Sequence, residues 1–134
     1  MTNSKSLIVM ICITGLLPLA AAQSATPPRI TSAEVKNHSG ETVTVCGKVV
    51  DTKVSRYGIA GHGKPVNFDL DQPEPNPVFF FVTFGSQSGA NPEEAQAAYQ
   101  GKSVCVTGKI ALASGVPYIM AADRSQIKIH AEDK

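Results

Sequence analysis

The sequence contains no tryptophan, and aromatic residues fill only 6% of its 134 positions. Charge is scarce too, at 17% of residues with a formal net charge of +1. Lys5 supplies that excess, so removal of the N-terminal residues leaves a neutral chain. Such a chain lacks the overall basic excess from which sequence-independent affinity for polyanions comes. Its 43% of hydrophobic residues exclude a disordered chain. The length suits one small domain.

An apolar run of membrane-segment character is confined to the N-terminus, where residues 7–17 follow Lys5 and precede Pro18 and Ala20-Ala21-Ala22. A basic start, a short apolar run and small residues at the cleavage point make a signal peptide over residues 1–22. The run is shorter than the roughly 20 residues that a spanning helix needs, so no membrane span is expected after cleavage, although an uncleaved anchor is the alternative. Cys12 lies between Ile11 and Ile13, without the small neighbours of a lipid-modified cysteine, and is expected to be lost. The expected organisation is a flexible leader over residues 23–29, a domain over 30–130 and a flexible tail over 131–134. The expected compartment is periplasmic or secreted.

Cleavage leaves two cysteines, Cys46 and Cys105, in an oxidising setting. Both lie in related strand-like segments, Val43-Thr44-Val45-Cys46-Gly47-Lys48-Val49 and Val104-Cys105-Val106-Thr107-Gly108-Lys109-Ile110. With period-two alternation, Val43, Val45 and Val49 share one face, as do Val104, Val106 and Ile110. The cysteines fall on the opposite faces, as a bridge between adjacent antiparallel strands requires. Two unpaired thiols are the alternative. Neither cysteine has a nearby cue for thiolate activation.

Five strands and two short helices are expected. Residues 31–40 begin with a capping-box pattern, Thr31 with Glu34, flanked by the staple Ile30 and Val35 and closed by Gly40. Strand one covers about residues 41–52, and a glycine-rich tip follows over 56–64. Strand two, residues 66–71, alternates strictly. Strand three, 78–84, is apolar on both faces. A helix over 91–99 has Asn91 as cap and Pro92 at its first position. Strand four spans 102–112, a turn occupies 113–115, and strand five runs over 117–129. No helices separate the first three strands, so a parallel α/β sheet is excluded. This mainly β order, with a helix between strands three and four, is that of the five-stranded OB-fold Greek-key barrel, here with a short N-terminal helix added.

The stretch 30–129 resembles a family of small exported bacterial proteins with an OB-fold of the tRNA-anticodon-binding type. The resemblance is carried by Ala33-Glu34, His38, Gly40, the two cysteine segments, Gly101-Lys102, Gly115-Val116-Pro117 and Ser125-Gln126-Ile127. It implies a nucleic-acid-binding OB domain. The chain differs from that pattern at the acidic Val66-Asn67-Phe68-Asp69 and in the small polar stretch 85–89.

OB-folds bind oligomers on the face of strands two and three and on the loops between strands one and two and strands four and five. Single strands are held by aromatic stacking and by cations along the backbone. The candidates are Tyr57, Phe79, Phe81 and Tyr118, with Lys53, Arg56, Lys64 and Arg124. Phe79 and Phe81 form a stacking pair if Phe80, Val82 and Phe84 fill the interior; otherwise they are covered. Asp69 and Asp71 on strand two oppose phosphate.

His38, His62 and His130 show no metal-ligand spacing, and neither a metal nor a cofactor is expected. No pair among Asp51, Asp69, Asp71, Glu74 and Asp123 stands out as acid and base. No nucleophile elbow or phosphate loop is present, so no catalytic residue is assigned. The expected function is a monomeric, non-catalytic binding module for a single-stranded nucleic acid or related oligomer. The alternatives are a protein-interaction or envelope-stress module and, last, a small secreted nuclease-like hydrolase.

Overall fold

The computed structural model describes residue 15 and residues 25–58, 60–84 and 91–130. Nearly all of the expected signal peptide and the whole of the tail lie outside these residues. Among the described residues the architecture is mainly β, with seven strands in one sheet and one α-helix. The strands are β1 (Arg29–Thr31), β2 (Thr42–Val54), β3 (Pro65–Leu70), β4 (Phe80–Phe84), β5 (Ser103–Ala113), β6 (Val116–Met120) and β7 (Ile127–His130), with α1 (Pro92–Tyr99) between β4 and β5. They are ordered β1-β2-β3-β4-β6-β5-β7, and β2 also pairs with β5. No helix among the described residues is long and apolar enough to cross a membrane.

The long strand β2, besides its parallel pairing with β1, serves two antiparallel ladders. Residues Thr42 to Lys48 pair antiparallel with β5, and Val49 to Val54 pair antiparallel with β3. The register shifts between Val49 and Asp51, so Val50 is a bulged residue where the strand passes from one partner to the other. A bulge bends its strand and increases the local twist, which suits a strand shared in this way. The valines of the β2 and β5 segments point inward, and Val43, Val45, Val49 and Val106 are fully buried. They pack with Phe68, Phe81, Ile110 and Ile119 in one hydrophobic core.

Helix α1 closes one end of this core with Ala95 and Tyr99. The Tyr99 ring meets Phe68 edge-on at 5.5 Å and Phe81 at 6.1 Å. Asn91 caps the helix by accepting from the Glu94 backbone N–H at 2.8 Å.

Cys46 and Cys105 are opposed across β2 and β5 and joined by a disulfide, with their Cα atoms 4.1 Å apart. The alternative of two free thiols is thereby set aside. The bond joins residues 59 apart in sequence. In the chain-entropy account, a loop of that size is worth about 4 kcal/mol.

Three expectations are corrected. The N-terminal helix is absent: residues 31–40 hold turns and a single 3-10 turn, Val35–Asn37. Half of the capping box forms, because the Glu34 carboxylate accepts from Thr31 N–H at 2.8 Å and from its hydroxyl at 2.9 Å. These bonds hold Glu34 below the usual carboxylate range. Ten residues are marginal as a helix, and here Ile30 and Thr31 instead lie parallel to Val45 and Cys46.

The last residue of the expected leader joins the sheet. Arg29 is in β1, and Pro28 C=O accepts from Thr44 N–H at 2.8 Å.

The expected fifth strand is two strands, which together with the added β1 raises the total from five to seven. It breaks after Met120 at a 3-10 turn, Arg124–Gln126, whose capping box uses Asp123 and Gln126. The chain then pairs with β5 again as β7, along Ser103–Val106 and in a new register.

Candidate binding face

Strands β3, β4 and β6 lie side by side, with Asp69 opposite Phe80 and Phe80 opposite Tyr118. Along β4 the inward set begins at Phe79, just before the strand, and continues at Phe81. Both rings are 0% exposed. Phe81 stacks on its cross-strand partner Phe68 at 4.7 Å, with 11° between the ring planes. Phe79 and Phe81 are thus core residues and are withdrawn as stacking candidates. The run 78–84 is apolar at every position but Thr83, so alternation could not reveal which parity faces in.

The opposite parity supplies the aromatic surface. Phe80 is half-buried and stacks on the half-buried Tyr118 with centroids 5.2 Å apart and planes 8° apart. Val82 is paired with Met120, which is 49% exposed. Tyr118 is legible in the sequence as a candidate, whereas Phe80 enters there only in the condition that it fill the interior. The pair depends on a parallel pairing of strands distant in sequence, which local pattern does not encode.

Carboxylates border the pair. Asp69 is 6% exposed, and Asp51 stands opposite it on β2. Burial pushes the Asp69 carboxyl above its ordinary range, and the charges of Glu74 and Asp51 push in the same direction. Lys53, opposite Asn67, is the cation that partly offsets them.

The hairpin between β2 and β3 carries Arg56, Tyr57 and Lys64, all exposed, with Tyr57 at 82%. Its base is closed by Ser55 N–H donating to Pro65 C=O at 2.9 Å. Arg124 belongs to a different element, the 3-10 turn whose Gln126 Nε2 donates to Thr107 C=O at 3.0 Å. The predicted cations are thus divided between a hairpin and a separate turn.

His38 pairs with Glu41 at 2.8 Å, and the His62 ring tilts against Phe84 at 5.6 Å. His130 was not singled out by spacing, yet its Nε2 lies 2.9 Å from Cys105 Sγ. Donor atoms of Cys46, Cys105 and His130 fall within 4.8 Å of one another. Such a set suits a soft metal only once the sulfurs are thiolates; here they are bonded to each other.

No protein-family model matches the chain, and no curated protein matches it. Among solved structures, it is similar to a crystal structure of a protein from Klebsiella pneumoniae subsp. pneumoniae that bears the provisional name nucleic acid-binding lipoprotein. The likeness covers 75% of this chain and 79% of that one, at 18% identity and a TM-score of 0.45. At that level it carries no argument about what this chain does.

Proposed function

We propose that this chain is an exported, non-catalytic binding module of the OB type, working as a monomer and taking a single-stranded nucleic acid or related oligomer by stacking. The OB reading is supported by the cycle of pairings β2-β3-β4-β6-β5-β2, with one helix between the third and fourth of those strands in chain order. The disulfide fits an oxidising compartment. The observation that carries the binding reading is the Phe80–Tyr118 stack on the outer side of the second and third strands of that cycle and the strand beside them. Flat bases stack on such rings, and the cations Lys53, Arg56 and Lys64 stand on the strand and hairpin that lead to this face. The affinity is expected to be low, because Asp51 and Asp69 lie near the platform.

Titration of a labelled oligothymidylate into the protein at low and raised salt tests this. Binding that weakens with salt and drops about tenfold in Phe80→Ala supports it; absence of binding at low salt overturns it. The same carboxylates favour a second reading, an interaction surface for a protein. A co-purifying protein that is lost on Phe80→Asp, with no oligonucleotide bound, would establish that reading instead.

A further inference from the structure

The disulfide borders an open cleft of about 460 Å³ lined by residues that include Arg29, Lys48, Asp71 and His130 as well as both cysteines. We propose that Cys46–Cys105 is a thiol–disulfide exchange site, attacked at Cys46 by an anionic thiol, with His130 assisting departure of the Cys105 sulfur. This inference is independent of the aromatic face.

The two sulfurs are not equivalent. Cys46 is half-buried on the cleft wall, whereas Cys105 is 3% exposed. An incoming thiolate therefore reaches Cys46. The new bond forms between the incoming sulfur and Cys46 Sγ, the Cys46–Cys105 bond breaks, and its electron pair passes to Cys105 Sγ.

That sulfur already has a partner, because His130 Nε2 lies 2.9 Å away. A protonated imidazole there pairs with the departing thiolate or gives it the proton. Exchange is faster when the leaving thiolate is stabilised. A second thiolate then attacks the outer sulfur of the mixed disulfide and releases Cys46. Two thiols are oxidised to one disulfide, and the protein disulfide takes up the two electrons.

The cleft also selects a charge. Arg29 and Lys48 line it, and Lys128 stands opposite Cys105 on β7. The acid in the lining, Asp71, is already engaged: Ser32 Oγ donates to Oδ2, and Lys48 N–H donates to Oδ1 at 2.9 Å. A carboxylate-bearing thiol therefore meets net positive charge.

Reduction leaves the frame in place. Seven residue pairs from Thr42–Lys109 to Lys48–Ser103, together with the Thr44–Thr107 hydroxyl pair at 2.8 Å, hold the thiols side by side for reoxidation.

The test treats the oxidised full chain, in chelator and without denaturant, with glutathione or with the cationic thiol cysteamine. Acid quenching and mass spectrometry of peptides locate the adduct. Expected are a glutathione adduct on Cys46, a rate advantage for glutathione that Lys48→Glu abolishes, and about tenfold slower reduction in His130→Gln at unchanged melting temperature. An inert disulfide, an adduct on Cys105, or an unaltered rate in His130→Gln overturns the proposal. Ultraviolet titration of the Cys105 thiolate in Cys46→Ala is a second readout. Titration below the ordinary thiol range that returns to it when His130→Gln is added supports the role of His130, and no change between the two variants overturns it.

Discussion

Asp71 occupies the space that a side chain on Gly47 would need. A Cβ built on Gly47 would lie 2.5 Å from Asp71 Oδ2 and 3.0 Å from Leu70 Cδ2. The carboxylate cannot step aside freely, because Ser32 and the Lys48 N–H both donate to it and Asp71 N–H itself donates to Lys48 C=O at 2.8 Å. Asp71 also holds φ at 62°, a left-handed conformation in which aspartate is one of the better-tolerated residues. The end of β3 is thus fastened to β2 beside the bulge.

Gly47→Ala should accordingly destabilise the oxidised protein by about 1–3 kcal/mol, the usual range for forced overpacking. Urea unfolding monitored by circular dichroism measures this. A midpoint equal to that of the wild type would show that the tie yields without cost.

The two ring parities of β4 should separate stability from binding. Phe81→Ala removes a fully buried ring packed on Phe68 and Tyr99 and should cost about 3–5 kcal/mol. Phe80→Ala removes a half-buried ring whose described aromatic partner is Tyr118 and should cost about 1 kcal/mol. Denaturant midpoints of the two variants, measured side by side, decide this; a larger loss in Phe80→Ala would invert the assignment of faces.

Asp69 should make stability depend on pH. Its carboxyl is held above the ordinary range, first by burial and then by Glu74 and Asp51. Between the unfolded and the raised folded value, the native state binds more protons than the unfolded state, so stability falls as pH rises through that window. Asp69→Asn should therefore flatten the pH dependence there and gain on the wild type toward neutral pH. Melting temperatures of both proteins across the acidic range test the sign, and parallel curves would show that Asp69 does not contribute.

The strands were largely legible because each carries its own period-two record. The Val43–Val45–Val49 stripe and its sibling on β5 name their buried faces, and that parity also placed Cys46 and Cys105 on a common side. Even the matched glycines have local reasons that only contacts reveal: Gly47 admits Asp71, and Gly108 admits Ile119, whose Cγ2 would stand 2.6 Å from a Cβ there. The split after Met120 was legible in principle, since Asp123 and Gln126 have the spacing of a capping box.

What the chain determined alone is therefore the β character, the helix at its Asn91-Pro92 start and the partnership of the two cysteines, all of which rest on alternation or on groups within one turn. Tertiary structure decided which phenylalanines of β4 face out, that Arg29–Thr31 joins the sheet rather than starting a helix, and that His130 reaches Cys105. Each of these depends on backbone pairing between segments remote in sequence. A run apolar on both faces, or a lone histidine, leaves no local trace of such pairing.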